Sequence, residues 1–194
     1  PYEVGTTTYA RDDGDVSAET SLGIGAGGND NAILGQNFEV QQMDNLSAIT
    51  FRLEGPPVGD VIRAEGWNTN PDGSPSTLIA STVDYTIDIA DAAGVELTLE
   101  MAAGPLTLGP GTYFLGVIAP DGNITLATLP NIFTPGTTWV NWDGNPFGPG
   151  FANNEAFNFN LSYFLRAEFD PCGTMPYMAD ANVSDETGDG AADG

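Results

Sequence analysis

The stretch Val95-Glu96-Leu97-Thr98-Leu99-Glu100-Met101 decides the fold class. Its apolar residues carry odd numbers and its polar residues even ones. Side chains alternate across a strand with a period of two, so this spacing predicts a β-strand with one buried and one wet face. Leu46–Leu53 repeats the pattern. Ile49, Phe51 and Leu53 form the better core face, Leu46 and Ala48 lie on the other parity, and Arg52 points away from the core.

Outward from these two stretches the chain reads as short apolar runs cut by turn residues. Ala32–Val40 is a strand anchored by Ile33, Leu34, Phe38 and Val40. Gly55-Pro56-Pro57 ends the Leu46–Leu53 strand, because proline cannot donate to a ladder. Val61–Trp67 then resumes, with Val61, Arg63, Glu65 and Trp67 on one parity. Asn70-Pro71-Asp72-Gly73 is a strong turn signal ahead of the β-branched run Leu78–Ile87. Asp88–Gly94 has room for one helical turn at Ala90–Ala93. Gly109-Pro110-Gly111 leads into Thr112–Ala119, apolar enough for a central strand. Pro120-Asp121-Gly122-Asn123 predicts a hairpin into Ile124–Leu129. Thr137–Trp142 is a further strand, and Phe157–Phe169 alternates Phe157/Phe159/Leu161/Tyr163 as the last. About ten short strands and no helix beyond a turn predict an all-β fold, a β-sandwich of jelly-roll type.

Three regions follow. Residues 1–31 read as an N-terminal arm or loop, with a β-leaning piece at Thr6–Tyr9 and a Gly/Asp-rich remainder. Residues 32–171 are the sandwich. Residues 172–194 are an acidic, Gly/Ala-rich tail or linker. Pro1 in place of Met is the expected start of a mature or excised product.

Charge excludes whole classes of function. The 194 residues hold 4 Lys+Arg, 27 Asp+Glu and no His, a formal charge of −23. All the cations are arginines: Arg11, Arg52, Arg63 and Arg166. They cannot form the basic face that nucleic-acid phosphates require, and an anionic membrane surface repels the chain. No apolar run approaches the ~20 residues of a membrane span. Mechanisms with a His base, a Lys Schiff base or a P-loop Lys are excluded, and so is a zinc site of His and Cys. The single Cys, Cys172, is free or pairs outside the chain. The missing Lys has two readings. One is compositional drift; the other is a salty or calcium-bearing exterior, where ions screen the self-repulsion.

The order of segments carries a resemblance. Gly35-Gln36-Asn37-Phe38 is followed by Leu46-Ser47-Ala48-Ile49-Thr50-Phe51, then by a strand ending in Trp67, then by Gly73-Ser74-Pro75. Leu106-Thr107-Leu108-Gly109-Pro110-Gly111-Thr112-Tyr113-Phe114-Leu115-Gly116-Val117 comes next, and Arg166-Ala167-Glu168-Phe169 closes the run. This resembles accessory jelly-roll β-sandwich domains of secreted, cell-surface proteins of Bacteroidetes-type bacteria. The resemblance implies an extracellular spacer, adhesin or sugar-binding module and no catalytic residue.

The residues themselves offer several chemistries. Calcium takes six to eight oxygens, often in Gly-rich loops. Asp12-Asp13-Gly14-Asp15, Asn29-Asp30-Asn31, Asp143-Gly144-Asn145 and the series Asp180, Asn182, Asp185, Asp189 are candidate donors; solvated turns are the alternative. The tail series departs from an EF-hand loop, since Ser184 stands where an acid is wanted and no Glu closes it. A sugar site would use Trp139 and Trp142, on opposite parities of one strand, with Asp143 and Asn145 beside them and Phe147 and Phe151 following. The competing use of both indoles is core filling. Glycoside hydrolysis is the one enzyme class that composition permits, with Glu54, Glu65, Glu96, Glu100, Asp143 and Glu155 as candidate carboxylates. Glycosylation sequons stand at Asn45, Asn123, Asn160 and Asn182. Residues 1–10 could add to a neighbour's sheet or form an edge strand of their own.

The expectation is a non-enzymatic extracellular structural or adhesive surface protein. It self-associates into a filament or binds other surface proteins. The alternative is a calcium-dependent carbohydrate-binding module for polysaccharide.

Overall fold

The computed structural model describes residues 7–12, 20–24, 31–120, 124–129, 132–143, 146 and 150–170. Its strands in chain order are β1 (Thr7–Ala10), β2 (Thr20–Ile24), β3 (Ala32–Val40), β4 (Asp44–Leu53), β5 (Val61–Thr69), β6 (Pro75–Ser81), β7 (Tyr85–Thr86) and β8 (Val95–Glu100). They continue as β9 (Leu106–Leu108), β10 (Gly111–Ala119), β11 (Ile124–Leu129), β12 (Thr138–Asn141), β13 (Ala152–Asn153), β14 (Ser162–Tyr163) and β15 (Leu165–Asp170). Two single 3-10 turns, Ile89–Asp91 and Asn154–Phe157, are the helical content of the described residues.

The strands form two antiparallel sheets. The first runs β1-β15-β4-β11-β14, with β2 beside β11 and with β8 and β9 beside β4. The second runs β13-β12-β3-β10-β5-β6, with β7 beside β5. The alternation read from the sequence supplies the core between them. Ile49, Phe51 and Leu53 of β4, Ile124 and Leu126 of β11, and Leu165 and Ala167 of β15 face Leu34 and Phe38 of β3, Ile62 and Ala64 of β5, and Leu115 and Val117 of β10. The protein is therefore an all-β two-sheet sandwich, as its period-two patterning requires.

Leu46 is buried on the same face as Ile49, although their parities differ. The register explains this: Glu168 pairs with Ala48 and Phe169 with Leu46, so Ser47 is an extra residue. Such a bulge re-phases the strand and returns Leu46 to the core. The turn near Ala90 is present at Ile89–Asp91. Asp88 caps it by accepting from the Ala90 N–H at 3.0 Å, while Asp91 accepts from the Asp88 N–H at 2.8 Å.

Three expectations change. The hairpin between Thr112–Ala119 and Ile124–Leu129 does not form. Both edges of β10 are occupied by β3 and β5, so the chain crosses to the other sheet, where β11 pairs with β2, β4 and β14. Phe157–Phe169 is not one strand. Asn153 caps the 154–157 turn by accepting from the Glu155 N–H at 2.9 Å, and Asn158, at a left-handed φ of 62°, ends it. Within 11–31, Thr20–Ile24 is a strand rather than loop. The buried β11 has backbone groups on its far edge that must be paired, and Gly23 lets Thr125 come closer than any Cβ would allow.

The described part of residues 1–10 lies on its own sheet. Thr7–Ala10 pairs with Arg166–Phe169, and Tyr9 meets Phe169 edge-on at 4.9 Å. Thr8 donates to Glu168, and the Asp12 carboxylate, whose side chain is 1% exposed, takes both arms of the Arg166 guanidinium.

Candidate functional site

The outward face of the second sheet carries a small apolar cluster of its own, Ile33, Phe114, Ile118 and Trp139. Gly35 and Gly116 face each other across β3 and β10, and the Phe114 ring lies in the space they leave. Phe151 closes the cluster, edge-on to Phe114 at 5.1 Å and to Trp67 at 5.5 Å. Trp139 is buried in this cluster, so the first of the two candidate indoles fills space.

Trp142 does something else. Val140 pairs with Leu34 and faces the core. Trp142 keeps that parity one pleat further on, past the end of β12. Its ring therefore lies between the sheets, where they open onto a cavity of about 240 Å³. Leu22 and Ile24 of β2 form one wall, and Leu34 and Val140 the opposite one. Phe157, the last residue of the 3-10 turn, and Phe159, just past it, border the cavity. Phe157 lies 5.6 Å from Trp142, and Phe159 is near-parallel to Phe157 at 6.4 Å. Phe159 is 42% exposed, so a row of rings runs from the interior to solvent.

One buried polar side chain interrupts these walls. Asn154 is fully buried and lines the cavity. Its Nδ2 donates to the Tyr163 hydroxyl at 2.6 Å, and its Oδ1 has no hydrogen-bond partner among the described residues. Burial pushes the Tyr163 hydroxyl far above its ordinary value, so it stays protonated beside the amide. Among the described residues the lining includes no carboxylate. Aromatic faces beside apolar walls are equipment for binding a neutral ligand rather than for proton transfer.

The other candidates disperse. Asp143 accepts from the Asn31 amide at 3.1 Å, at the residue after Trp142. Asp12 is engaged by Arg166. Asp13, Asp15, Asp30, Asn145, Asp180, Asn182, Asp185 and Asp189 lie outside the described residues. Among the described residues no three Asp, Glu, Cys or His side chains converge. Of the candidate carboxylates, Glu65 is buried under Arg63 (2.8 Å) and the Trp67 indole N–H (3.2 Å), and Glu54 meets Arg52 at 3.1 Å. Glu155 accepts from the Gly136 N–H at 3.3 Å, while Glu96 and Glu100 stand exposed on β8. Of the sequons, Asn45 accepts from Thr107 at 2.7 Å and Asn160 is exposed; Asn123 and Asn182 lie outside the described residues. Sequence reasoning missed Asn154 altogether. The available signal was Asn153 followed by Glu155, the start of a capped turn.

Comparison with known proteins adds fold information. No protein-family model and no curated protein matches the chain. Among solved structures it is similar to the cysteine protease and lectin-like domains of Cwp84, a surface layer associated protein of Clostridium difficile. The TM-score is 0.61 at 10% identity, over 86% of this chain and 36% of that one. The chain thus spans about a third of the length of that structure. The likeness supports the sandwich architecture. No helix among the described residues is long and apolar enough to cross a membrane.

Proposed function

We propose that this chain is a non-catalytic, cell-surface or secreted module that binds saccharide at the Trp142 cavity and so serves adhesion. The carrying observation is the row Trp142, Phe157, Phe159 bordering an open cavity while the other candidate indole, Trp139, is spent on packing. Sugar rings present an apolar C–H face to aromatic side chains and hydroxyls to amides. The fold likeness to a chain with a lectin-like domain, from a surface layer associated protein, supports the same reading. A formal charge of −23 repels polyanions and favours a neutral glycan. Strand addition to a neighbour would have to lift β1 off its own β15 against the Asp12–Arg166 pair and the Tyr9–Phe169 contact, so self-assembly ranks second.

A glycan array probed with the 194-residue chain tests the proposal. Binding to a neutral glycan is expected, with Trp142→Ala weakening it roughly tenfold or more and Trp139→Phe leaving it unchanged. Absence of binding across the array, or binding indifferent to Trp142→Ala, overturns it.

A further inference from the structure

The walls of the Trp142 cavity decide which part of a sugar can enter. Leu22, Ile24, Leu34 and Val140 offer no hydrogen bond from their side chains, and neither do the Phe157 and Phe159 rings. Asn154 also lines the cavity, but it is fully buried and its Nδ2 is spent on the Tyr163 hydroxyl at 2.6 Å. It presents no surface to a ligand. Among the described lining side chains this leaves the Trp142 indole N–H as the polar group. A hydroxymethyl or acetamido group pushed inside would exchange water for apolar walls, and a polar group buried without partners is costly. A methyl group carries no such cost and gains from its burial.

We propose that the cavity selects a 6-deoxyhexose and takes its C5–C6 edge, methyl first, inside. Resting on the saccharide-binding reading above, this names the sugar class. Such a sugar carries a methyl at C6 where an ordinary hexose carries a hydroxymethyl. The methyl packs between Ile24 on one wall and Leu34 and Val140 on the other. The pyranose ring stays at the mouth, its C–H face on the near-parallel Phe157 and Phe159 rings and its hydroxyls in water. A volume of about 240 Å³ lies below the usual ~300 Å³ lower bound for ligand pockets, so the cavity holds one edge of a ring rather than an oligosaccharide. A 6-deoxyhexose is also neutral, as a chain of formal charge −23 requires of a ligand it does not repel.

The test is a saturation-transfer NMR titration of the full chain with two sugar pairs, L-fucose against L-galactose and L-rhamnose against L-mannose. The members of each pair differ at C6 alone. In at least one pair the 6-deoxy sugar is expected to bind roughly tenfold or more tightly than its partner, with the C6 methyl receiving the strongest saturation. Val140→Thr sets a hydroxyl on the methyl's seat and is expected to shrink that preference. The sugar pairs need no altered protein, so they decide even if Val140→Thr fails to fold. Equal affinity within both pairs, lost on Trp142→Ala, overturns the 6-deoxyhexose assignment and leaves saccharide binding standing. Array hits confined to glycans without a 6-deoxyhexose do the same. Failure of all four sugars to bind, together with a blank glycan array, overturns both.

Discussion

The side-chain amide of Gln36 is bonded like a strand edge to the backbone of Tyr163. Its Oε1 accepts from the Tyr163 N–H at 2.9 Å, and its Nε2 donates to the Tyr163 carbonyl at 3.1 Å and to the Leu165 carbonyl at 3.2 Å. Gln36 belongs to β3 in one sheet and Tyr163 to β14 in the other, so one fully buried side chain ties the two sheets together. The bond falls where β14 gives way to β15 at Phe164 and the ladder is interrupted. Gln36→Leu keeps the bulk and orphans one N–H and two carbonyls. Each buried orphan costs ~1–3 kcal/mol, so the variant is expected to lose about 3 kcal/mol or more. Chemical denaturation reads this as a lower midpoint at unchanged slope. An unshifted midpoint would refute the role given to Gln36.

Gly35 is constrained by contact rather than by φ. A Cβ there would run into the Leu115 carbonyl oxygen and lie 2.6 Å from Phe114 Cζ. At Gly116 the obstacles are side chains, Phe114 Cε1 at 2.7 Å and Ile33 Cγ1 at 2.9 Å. Backbone yields less than a side chain. Gly35→Ala is therefore expected to cost about 3 kcal/mol, and Gly116→Ala less, nearer 1 kcal/mol. Thermal melts of the two variants check the order, and a Gly116→Ala penalty equal to or larger than that of Gly35→Ala contradicts it.

Period-two patterning was enough to read β4 and β8, and with them the class of fold, because alternation reports burial on one sheet face directly. It mis-phased Leu46, since the Ser47 bulge depends on the register of β15, more than a hundred residues away in the chain. It also took Phe157/Phe159 for a strand. Their spacing of two suits a strand, but the left-handed Asn158 between them turns the chain and lays both rings along the cavity. Trp142 was legible because a tryptophan beside turn residues is conspicuous. Asn154 was not, because its burial comes from the packing of a 3-10 turn against Tyr163. The arginines carry a similar lesson: with so few cations, Arg52, Arg63 and Arg166 each sit on a carboxylate, and Arg11 donates to the Asn37 carbonyl.

The Arg166–Asp12 pair makes β1 conditional on one guanidinium. Nε and Nη2 of Arg166 both reach the carboxylate, at 3.0 and 2.6 Å, while the guanidinium carbon lies 4.3 Å from the Phe164 ring centroid. The hydrogen bonds to Asp12 hold the guanidinium above its already high ordinary value, so its charge is constant at any working pH. Lysine can supply the charge but neither the fork nor the stacking. Arg166→Lys is expected to cost about 1–2 kcal/mol, an amount set by the nearly unexposed Asp12 carboxylate rather than by surface screening. Hydrogen exchange locates the effect: faster exchange at Thr7–Ala10 with β3 and β10 unchanged. Uniform exchange across the chain would contradict it.

Asp72 gives a pH-dependent prediction at the turn joining β5 to β6. The Asn70 N–H reaches the Ser74 carbonyl at 2.8 Å, and the Gly73 N–H reaches the Asn70 carbonyl at 2.9 Å. Asp72 Oδ1 accepts from the Ser74 hydroxyl at 2.6 Å and from its N–H at 3.0 Å. The Ser74 hydroxyl bond, then its N–H, hold the Asp72 carboxyl below the ordinary carboxylate value. A depressed folded value stabilises the turn above the unfolded value near ~3.9, and that support is lost as pH falls through the depressed one. The Asn37 amide grips the Gly73 carbonyl at 2.8 Å, so loosening the turn reaches the outer face of the second sheet. Ser74→Ala removes the largest cause and keeps the N–H. An NMR titration is expected to show Asp72 moving up toward the ordinary carboxylate value in Ser74→Ala, with line broadening at Gly73 and Asn37 beginning at higher pH than in the parent chain. Identical titration curves would show that the hydroxyl does not hold the carboxylate in solution.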